Sequence, residues 1–391
     1  MNKPLYIRTA AGLLAAALTL SAGACSSGTS FSVTGGDQGP ITSTTSRTTS
    51  TTRGEQEETT ATTTAPESTT ASAERTTQTT LPTTASGFQY RVQNGQVTIV
   101  QYRGSESEVT IPSSIAGYPV TAIGEEAFAD RKRVRNVTIP NSVTTVGDKA
   151  FYNCNSLRSI TLPDSVTKLG THVFELCVKM TNVVLPKGIT AIPDGTFRDC
   201  QSIRTFNIPA TVKTIGDTAF RYCDGLMSVS IPEGVTSIGV ESFAGCGRLQ
   251  TLSLPDSLTS IGTGAFSSCT QLTRIKFPET MTTVSSSAFE YCSSLMSITL
   301  PDTVTSIQDS AFASCEHLGN VNLPNALKSI GNTAFAGCSG LQNIRIPTSV
   351  TQIGDSAFLG CHENLSLVGA AGSTAESYAK ANDLNFRAMI M

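Results

Sequence analysis

The sequence predicts a mainly-β repeat solenoid of about eleven 23-residue coils, and three observations support this prediction. Eleven phenylalanines recur every 23 residues from Phe128 onwards, and ten cysteines follow three positions behind them, starting at Cys154. Ten prolines repeat with the same period from Pro140 onwards, without an insertion or a deletion. An unbroken period of this kind indicates that neighbouring units stack on one another in register.

Each unit contains two short stretches in which polar and apolar residues alternate. The unit reads P-D-S-V-T-S-I-G-D-S-A-F-x-x-C-x-x-L-x-S-I-T-L, and the stretches are L-x-S-I-T-L and V-T-S-I. Alternation with β-branched residues predicts short parallel strands, the first of which ends at the proline. The segment D-S-A-F predicts a short helical or 3₁₀ turn in which Asp or Ser caps the backbone.

The two ends of the array carry different sequences, and we interpret them as caps. Residues 87–116 contain two alternating runs around Asn94-Gly95, which predicts a β-hairpin as the N-terminal cap. The solenoid is predicted over residues 117–363. Within the C-terminal cap, residues 364–391, a capping-box pattern at Ser373-Thr374-Ala375-Glu376 predicts a helix that ends near Ala381.

The N-terminus predicts export. Residues 1–24 have a charged start with Lys3 and Arg8 and then an Ala-rich apolar run, as in a signal peptide. The run ends in Ala22-Gly23-Ala24-Cys25, which resembles a bacterial lipobox and implies lipidation of Cys25 after cleavage. Ala22 departs from the large aliphatic residue usual at that position, so an ordinary signal peptide and a secreted product remain the alternative.

Residues 25–86 form a compositionally distinct segment between the lipidation site and the repeats. Thr and Ser dominate it, and large apolar side chains are nearly absent. Such a segment cannot bury enough surface to offset the entropy of ordering, so the sequence predicts a disordered stalk.

The phenylalanines and cysteines of the repeats are interpreted as an inward-facing structural ladder. Disulfides between stacked coils are disfavoured because equivalent Cα–Cβ bonds run parallel, and a straight row of thiols cannot surround one zinc ion. The thiols are therefore predicted to be small buried side chains. Representative members of this ladder are Phe151, Cys154, Phe220, Cys223, Phe289, Cys292, Phe358 and Cys361.

The composition offers little for catalysis, metal binding or nucleic-acid binding. The chain has three histidines, no tryptophan and a net charge of -3, and no catalytic or phosphate-binding motif is present. Asp148, Asp217, Asp309 and Asp355 recur at the turn, but other coils break the column, so turn capping is preferred to a calcium site. We therefore predict no cofactor, no bound metal, no nucleic-acid partner and no enzymatic activity.

The outward positions of the repeats are the only part of the unit free to specify a function. The outward strand columns consist of small polar residues, with Arg274, Lys276 and Arg345 as exceptions. Tyrosines are suited to binding hot spots, and three of them lie in the variable loop. These are Tyr152, Tyr222 and Tyr291. A basic cluster in the first repeat, Arg131, Lys132, Arg133 and Arg135, is either a solvated loop or a contact for an anionic wall polymer.

The pattern A-F-x-x-C-x-x-L-x-x-I-x-[IL]-P…V-x-x-I-G resembles the bacterial BspA-like leucine-rich repeats, over about residues 90–391. The ending GSTAESYAKAN is also similar to the tail that closes such arrays. The resemblance implies a surface protein that adheres to a host or neighbouring-cell protein or glycan. The alternatives are a structural envelope component that associates with itself and an accessory to polysaccharide degradation.

Overall fold

The 23-residue period corresponds to one turn of a solenoid in the computed structural model, which describes residues 81–389. The chain makes about 13 turns of about 23 residues, which confirms the predicted mainly-β repeat fold. The predicted signal peptide, Cys25 and nearly all of the predicted stalk lie outside the described residues. Among residues 81–389, no helix is long and apolar enough to span a bilayer.

The array begins with the predicted hairpin. Strand β1 (Phe88–Gln93) pairs in antiparallel fashion with β2 (Gln96–Tyr102). The turn residues Asn94 and Gly95 both have positive φ, 50° and 70°, as a type I′ turn requires. Strand β2 then pairs in parallel with β5, which starts the first regular coil. Between them lie β3 (Glu108–Thr110) and β4 (Ser114–Ile115), and β5 spans Tyr118–Ile123.

The first strand of each coil is three residues long, and its central residue points into the core. Parallel partners are 23 residues apart, as Ile160 and Val183 are. One coil is irregular, because Arg274 makes a single bridge to Ser297 in place of a strand. After β3, these strands are β6 (Asn136–Thr138), β8 (Ser159–Thr161), β10 (Asn182–Val184), β12 (Thr205–Asn207), β14 (Ser228–Ser230), β16 (Thr251–Ser253), β19 (Ser297–Thr299), β21 (Asn320–Asn322) and β23 (Asn343–Arg345).

The second strand of each coil is two residues long and lies on another side of the solenoid. It ends in an inward Ile, Val or Leu just before the turn. These strands are β7 (Thr145–Val146), β9 (Lys168–Leu169), β11 (Ala191–Ile192), β13 (Thr214–Ile215), β15 (Ser237–Ile238), β17 (Ser260–Ile261), β18 (Thr283–Val284), β20 (Ser306–Ile307), β22 (Ser329–Ile330) and β24 (Gln352–Ile353).

Consecutive turns with i→i−3 hydrogen bonds follow the second strand. In each coil, two residues of this segment adopt left-handed backbone, as Lys149 (φ 52°) and Asn153 (φ 57°) do. Their N–H groups point along the solenoid and donate to the next coil, Lys149 to the carbonyl of Thr171 and Asn153 to that of Glu175, both at 2.8 Å. These axial bonds offset a conformation that costs a non-glycine residue about 1–2 kcal/mol.

The phenylalanines form one continuous stack of rings through the core. Ring centroids of adjacent coils are 5.0–5.6 Å apart from Phe128 to Phe358, with near-parallel planes. Tyr102 extends the stack at one end, 5.2 Å from Phe128, and Tyr378 closes the other edge-on, 5.9 Å from Phe358. Neither tyrosine belongs to the 23-residue ladder, so the period alone did not identify them.

The ten cysteines of the repeats have free thiols, nine of them fully buried. Each thiol donates to the carbonyl of the phenylalanine 26 residues earlier, for example Cys223 to Phe197 at 3.2 Å. The other nine bonds are 3.0–3.4 Å long. Burial raises the pKa of the Cys154 and Cys292 thiols to about 12. The thiols therefore act as hydrogen-bonded core side chains with little thiolate character.

The acid of the I-G-D turn caps the neighbouring coil. Asp148 accepts a hydrogen bond from the N–H of Thr171 at 2.7 Å, and Asp217 from that of Val240 at the same distance. The acid therefore caps a backbone N–H of the next coil, 23 residues further along the chain. Its side chain also occupies the space above the next glycine, because a Cβ on Gly239 would lie 2.4 Å from the Asp217 carboxylate.

The C-terminal cap combines a helix with one more strand. Strand β25 (Ser366–Gly369) continues the coil, α1 spans Thr374–Ala381, and β26 (Asn385–Ala388) pairs in parallel with β25. The helix confirms the prediction, but the predicted capping box does not form. The Glu376 carboxylate accepts from the N–H of Gly372 at 2.6 Å, while the Ser373 side chain makes no cap bond. Strand β26 was not predicted.

Candidate binding surfaces

The outward side of the three-residue strands forms the first candidate surface, which we call the lateral face. Its strands are too short to curl, and their exposed positions are mostly Ser, Thr and Asn. Side chains of adjacent coils bond along the axis, as the Ser159 hydroxyl does to the Asn136 amide oxygen at 3.0 Å. The result is a polar face made mostly of hydroxyl and amide groups.

Arg274 and Lys276 break this neutral array in its irregular coil. The side chains of Arg274 and Lys276 are both exposed. The next residue, Phe277, points inward, and its ring packs edge-on against that of Phe289, with 5.4 Å between the ring centroids. Arg345 is exposed in the same column as Lys276, three coils further on. None of the three forms an ion pair with another residue in the range 81–389. Their charges are therefore available to a ligand.

Two methionines that the sequence analysis did not single out also lie at the edge of the lateral face. Met227 is 39% exposed and Met296 is 52% exposed, and they occupy equivalent positions three coils apart. Flexible thioether side chains adapt to different partners. The available signal was their place in the repeat, directly after the inward leucine, where other coils carry Arg, Gln or Thr.

The tyrosines lie on a different side of the solenoid, the turn face, formed by the outward residues of the segment with left-handed backbone. Tyr222 is 39% exposed, its ring lies over Gly245 of the next coil, and Arg221 stacks on it at 4.8 Å. A Cβ on Gly245 would come within 2.4 Å of that ring, so the glycine allows this placement. Arg221 also pairs with Glu241 at 2.6 Å, which holds the tyrosine in one orientation.

The other two tyrosines are less exposed. Tyr291 occupies the same position as Tyr222 three coils later, and burial raises the pKa of both Tyr291 and the adjacent Glu290. Tyr152 lies one position earlier in its coil, so it is outside their column. The Nζ of Lys149 lies 6.0 Å from its ring centroid. The three tyrosines thus contribute separate points and no shared patch.

An ion-pair cluster divides the turn face into a charged part and a part with small residues. Glu175 is buried between His172 at 2.7 Å and Arg198 at 3.6 Å, and Arg198 also contacts Asp199 at 3.6 Å. Burial raises the pKa of Asp199, and the nearby positive charge of Arg198 lowers it by a smaller amount. The contact between Glu175 and Arg198 joins adjacent coils, so the cluster is better suited to stabilising them than to recruiting an ion.

The six residues proposed from the sequence as one binding surface therefore belong to two. Arg274, Lys276 and Arg345 share the lateral face, whereas the tyrosines are on the turn face. A shallow polar depression of about 330 Å³ lies along β20, β22 and β24 and is lined by Ser306, Gln308 and Asp309 among others. Within residues 81–389, no three His, Cys, Asp or Glu side chains converge as metal ligands would.

Comparison with known proteins relates this geometry to a family. The family described as "BspA type Leucine rich repeat region (6 copies)" matches residues 121–249 and 236–366, more than half of the chain. No curated protein has a matching sequence.

Solved structures of two leucine-rich proteins share the fold. A leucine rich cell surface protein from Faecalibacterium prausnitzii is 29% identical, with a TM-score of 0.56, over 79% of this chain and 95% of that one. A leucine-rich repeat protein from Bacteroides ovatus is 23% identical, with a TM-score of 0.51, over 78% of this chain and 98% of that one. At that identity the second likeness concerns the fold alone.

Proposed function

Because the chain belongs to the BspA-type leucine-rich repeat family, we propose that it is a binding module of the bacterial cell surface that contacts a protein or glycan through its lateral face. The matched family is defined by a repeat region and not by an enzymatic activity, in agreement with the lack of a catalytic motif. The similar protein from F. prausnitzii is described as a cell surface protein, which supports the same location here.

The observation that carries the proposal is the contrast between Arg274, Lys276 and Arg345 and the neutral columns around them. Most other coils keep this face small and polar, with Glu108 and Val184 as exceptions, and the core does not require this because these side chains point outward. An extended ligand that lies along the axis would meet many weak hydroxyl and amide contacts and a few charged ones. Such contacts add up when several are made at once.

Attachment to the membrane is a separate part of the proposal. We propose that Cys25 carries lipid and that the Thr/Ser-rich residues 26–86 separate the solenoid from the membrane. Chain length and composition support a spacer, because a random coil of about 60 residues would span about 40–45 Å on average. Partitioning of the full chain into detergent should be lost on Cys25→Ala, and equal partitioning of both forms would favour the secreted alternative.

The binding proposal is tested by screening the full chain against matrix proteins, mucins, plant and bacterial glycans, and the chain itself. The lateral-face variant combines Arg274→Ser, Lys276→Thr and Arg345→Thr. Ser297 and Thr299 occupy the equivalent positions in another coil, so the repeat itself carries these replacement residues. We expect it to weaken a saturable interaction about tenfold or more, since charge-assisted hydrogen bonds contribute about 1.5–3 kcal/mol each.

The turn-face variant provides the comparison. It combines Tyr152→Ser, Tyr222→Ser and Tyr291→Ser, and we expect it to retain binding. Loss of binding in this variant alone would move the site to the turn face. Binding that neither variant changes would contradict the proposal.

A second candidate function is self-association into an envelope structure, and one observation favours it. The three-residue strands form a series of short sheets, of which the first ends at β3 and the last at β26, and each of these two strands has a partner on one side only within residues 81–389. Unpaired strand edges can pair with another chain. A mass that increases with concentration in sedimentation, and that is reduced by Ala388→Pro because the Ala388 N–H points away from β25, would support this candidate over the first.

A further inference from the structure

A row of cations runs along one edge of the first four coils. In each coil, four residues connect the cysteine position to the first strand, and in these coils they read KRVR, NSLR, VKMT and QSIR. These sixteen residues contain six Lys or Arg and no Asp or Glu. We call them the basic ridge: Lys132, Arg133, Arg135, Arg158, Lys179 and Arg204.

The ridge is confined to this part of the molecule. The corresponding positions of the next seven coils contain one basic residue, Arg248, and three acids, Asp224, Glu316 and Glu363. The whole chain has a net charge of -3, so the ridge is a local concentration and does not reflect a basic composition. If these loop residues were only solvated, basic and acidic residues would be mixed along the whole array and not separated into different coils.

All six side chains are exposed, and none forms an ion pair or a side-chain hydrogen bond with another residue between 81 and 389. Some other cations of the same coils are neutralised, as Lys149 is by Glu126 and Arg198 by Glu175. Acids that border the ridge are engaged: Glu108 accepts from the Asn136 amide at 2.7 Å and Asp130 from Asn153. Glu106 lies at one end, in a depression shared with Arg131, Lys132 and Arg133.

The stacking of the coils places the ridge on a line. The N–H of Arg158 donates to the carbonyl of Arg135, and the N–H of Thr181 to that of Arg158, both at 2.9 Å. Arg135, Arg158, Thr181 and Arg204 therefore form one axial column, and about 4.8 Å per coil places Arg135 and Arg204 about 15 Å apart. The outward residues Asn136, Ser159, Asn182 and Thr205 run beside it and offer hydroxyl and amide groups.

We propose that the basic ridge binds a linear anionic glycan, with the arginines on its carboxylate or sulfate groups and the adjacent strand residues on its hydroxyls. Guanidinium groups bind carboxylate and sulfate oxygens in a bidentate manner, and a line of them fits a chain better than a planar membrane. The apolar residues of the sixteen, such as Met180, Leu157 and Ile203, are buried, so no exposed ring is available for stacking bases.

The proposal is tested with the full chain and immobilised polysaccharides: dextran sulfate, polygalacturonate and neutral dextran. The ridge variant combines Arg135→Thr, Arg158→Thr and Arg204→Thr, because Thr181 and Thr273 occupy the same position in other coils. The control variant also removes three positive charges, but outside the ridge, by Lys213→Thr, Lys328→Thr and Arg248→Ser. Each replacement residue occurs at the same position in another coil.

We expect wild type and control to bind dextran sulfate and polygalacturonate but not dextran, within about twofold of each other. The ridge variant should bind at least about tenfold more weakly, with an unchanged thermal midpoint. Affinity should fall as sodium chloride rises from about 50 to about 300 mM, because exposed charges are screened. The lateral-face variant should bind both glycans normally, which separates this proposal from the function proposed above.

Several outcomes would overturn the proposal. These are no binding to either charged glycan, equal losses in the ridge and control variants, or binding that does not distinguish dextran from dextran sulfate. Tighter binding to poly-glutamate, single-stranded DNA or phosphatidylglycerol vesicles would assign the ridge to an acidic polypeptide, a nucleic acid or a membrane surface instead.

Discussion

The glycine of the I-G-D turn has a requirement that comes from the neighbouring coil and not from its own backbone. Gly239, for example, has ordinary backbone angles, yet a Cβ at this position would lie 2.4 Å from the Asp217 carboxylate and 2.7 Å from its backbone nitrogen. The same carboxylate caps the N–H of Val240. The glycine therefore leaves room for both the carboxylate and the backbone of the preceding coil.

We predict that Gly239→Ala lowers the free energy of unfolding by about 1–3 kcal/mol, since backbone or a bonded carboxylate must move. Urea denaturation followed by far-UV circular dichroism would measure the change. Gly188→Ala is the matched control, because a Cβ there meets no atom within 4 Å. It should be neutral or stabilise by up to about 1 kcal/mol. Similar losses in both variants would contradict this explanation.

The buried thiols predict a sharp dependence of stability on alkaline pH. The pKa of Cys154 and Cys292 is raised from 9.0 to about 12 by burial, and that of Cys200 and Cys223 is raised well above 9.0. Above pH 9 the unfolded chain therefore loses thiol protons that the folded chain keeps. Stability is present in full below pH 9 and decreases towards pH 12, by about 1.4 kcal/mol per pH unit for each thiol.

Denaturation midpoints measured between about pH 8 and pH 10.5 would test this pH dependence. Replacement of Cys200, Cys223 and Cys246 by alanine should reduce the slope by roughly three tenths, because three of ten thiols no longer ionise on unfolding. The same variant should be less stable at neutral pH, since each replacement removes a buried sulfur and a hydrogen bond. An unchanged slope would show that other groups control the alkaline transition.

At the scale of elements, the caps close the aromatic stack as well as the sheets. Tyr378 of α1 meets the ring of Phe358 edge-on at 5.9 Å, and Ala375 and Ala379 of the same helix are buried. Burial raises the pKa of Tyr378, in keeping with a ring in the core boundary. Without this helix, the last coil would expose its phenylalanine to water.

We predict that Tyr378→Ala destabilises the C-terminal coils by about 2–4 kcal/mol, as loss of a large packed side chain does. Hydrogen exchange would show faster amide exchange in β23, β25 and β26, while the coils around Phe220 keep their protection. Val92→Ala at the other end is the control, because Val92 is 41% exposed. Uniform loss of protection along the whole array would contradict the local role of the helix.

The hairpin, the helix and the repeated short strands were predicted correctly, while the left-handed residues of the turns and the last strand were not. The hairpin follows from Asn94-Gly95 and the helix from the pattern after Ser373, both local signals. The left-handed residues, such as Leu176 and Tyr222, have no sequence signature, because axial hydrogen bonds and not residue type select their backbone. Strand β26 is similarly set by pairing with β25.

The candidate site shows the same division. Arg274 and Lys276 were recognised as outward from alternation alone, and the structure exposes them. Their separation from the tyrosines required knowledge of where each segment lies around the coil. Arg158 and Arg204 of the basic ridge were missed because they are isolated in the sequence and become neighbours only when coils stack.

At the scale of the whole molecule, the coil is the unit of stability, since each one contacts mainly its two neighbours. Removal of residues 221–243 joins Phe220 to Ala244 and restores the repeat in phase. We predict that this deletion retains the far-UV spectrum and lowers the thermal midpoint by a few degrees. Removal of residues 221–241, two residues short of the period, should cause large loss of structure, and equal tolerance of both deletions would contradict stacking in register.

The axial direction of the hydrogen bonds has a mechanical consequence. A tensile force applied between the N-terminus and the last strand acts along the same bonds that join the coils, such as Lys149 to Thr171. The force therefore opens the few hydrogen bonds between one pair of coils before those of the next pair. It does not shear all the bonds of the solenoid at the same time. Each coil that peels away releases 23 residues, or about 75–80 Å of extended chain. Under load the solenoid would lengthen in uniform steps while the remaining coils stay folded and continue to present their surface.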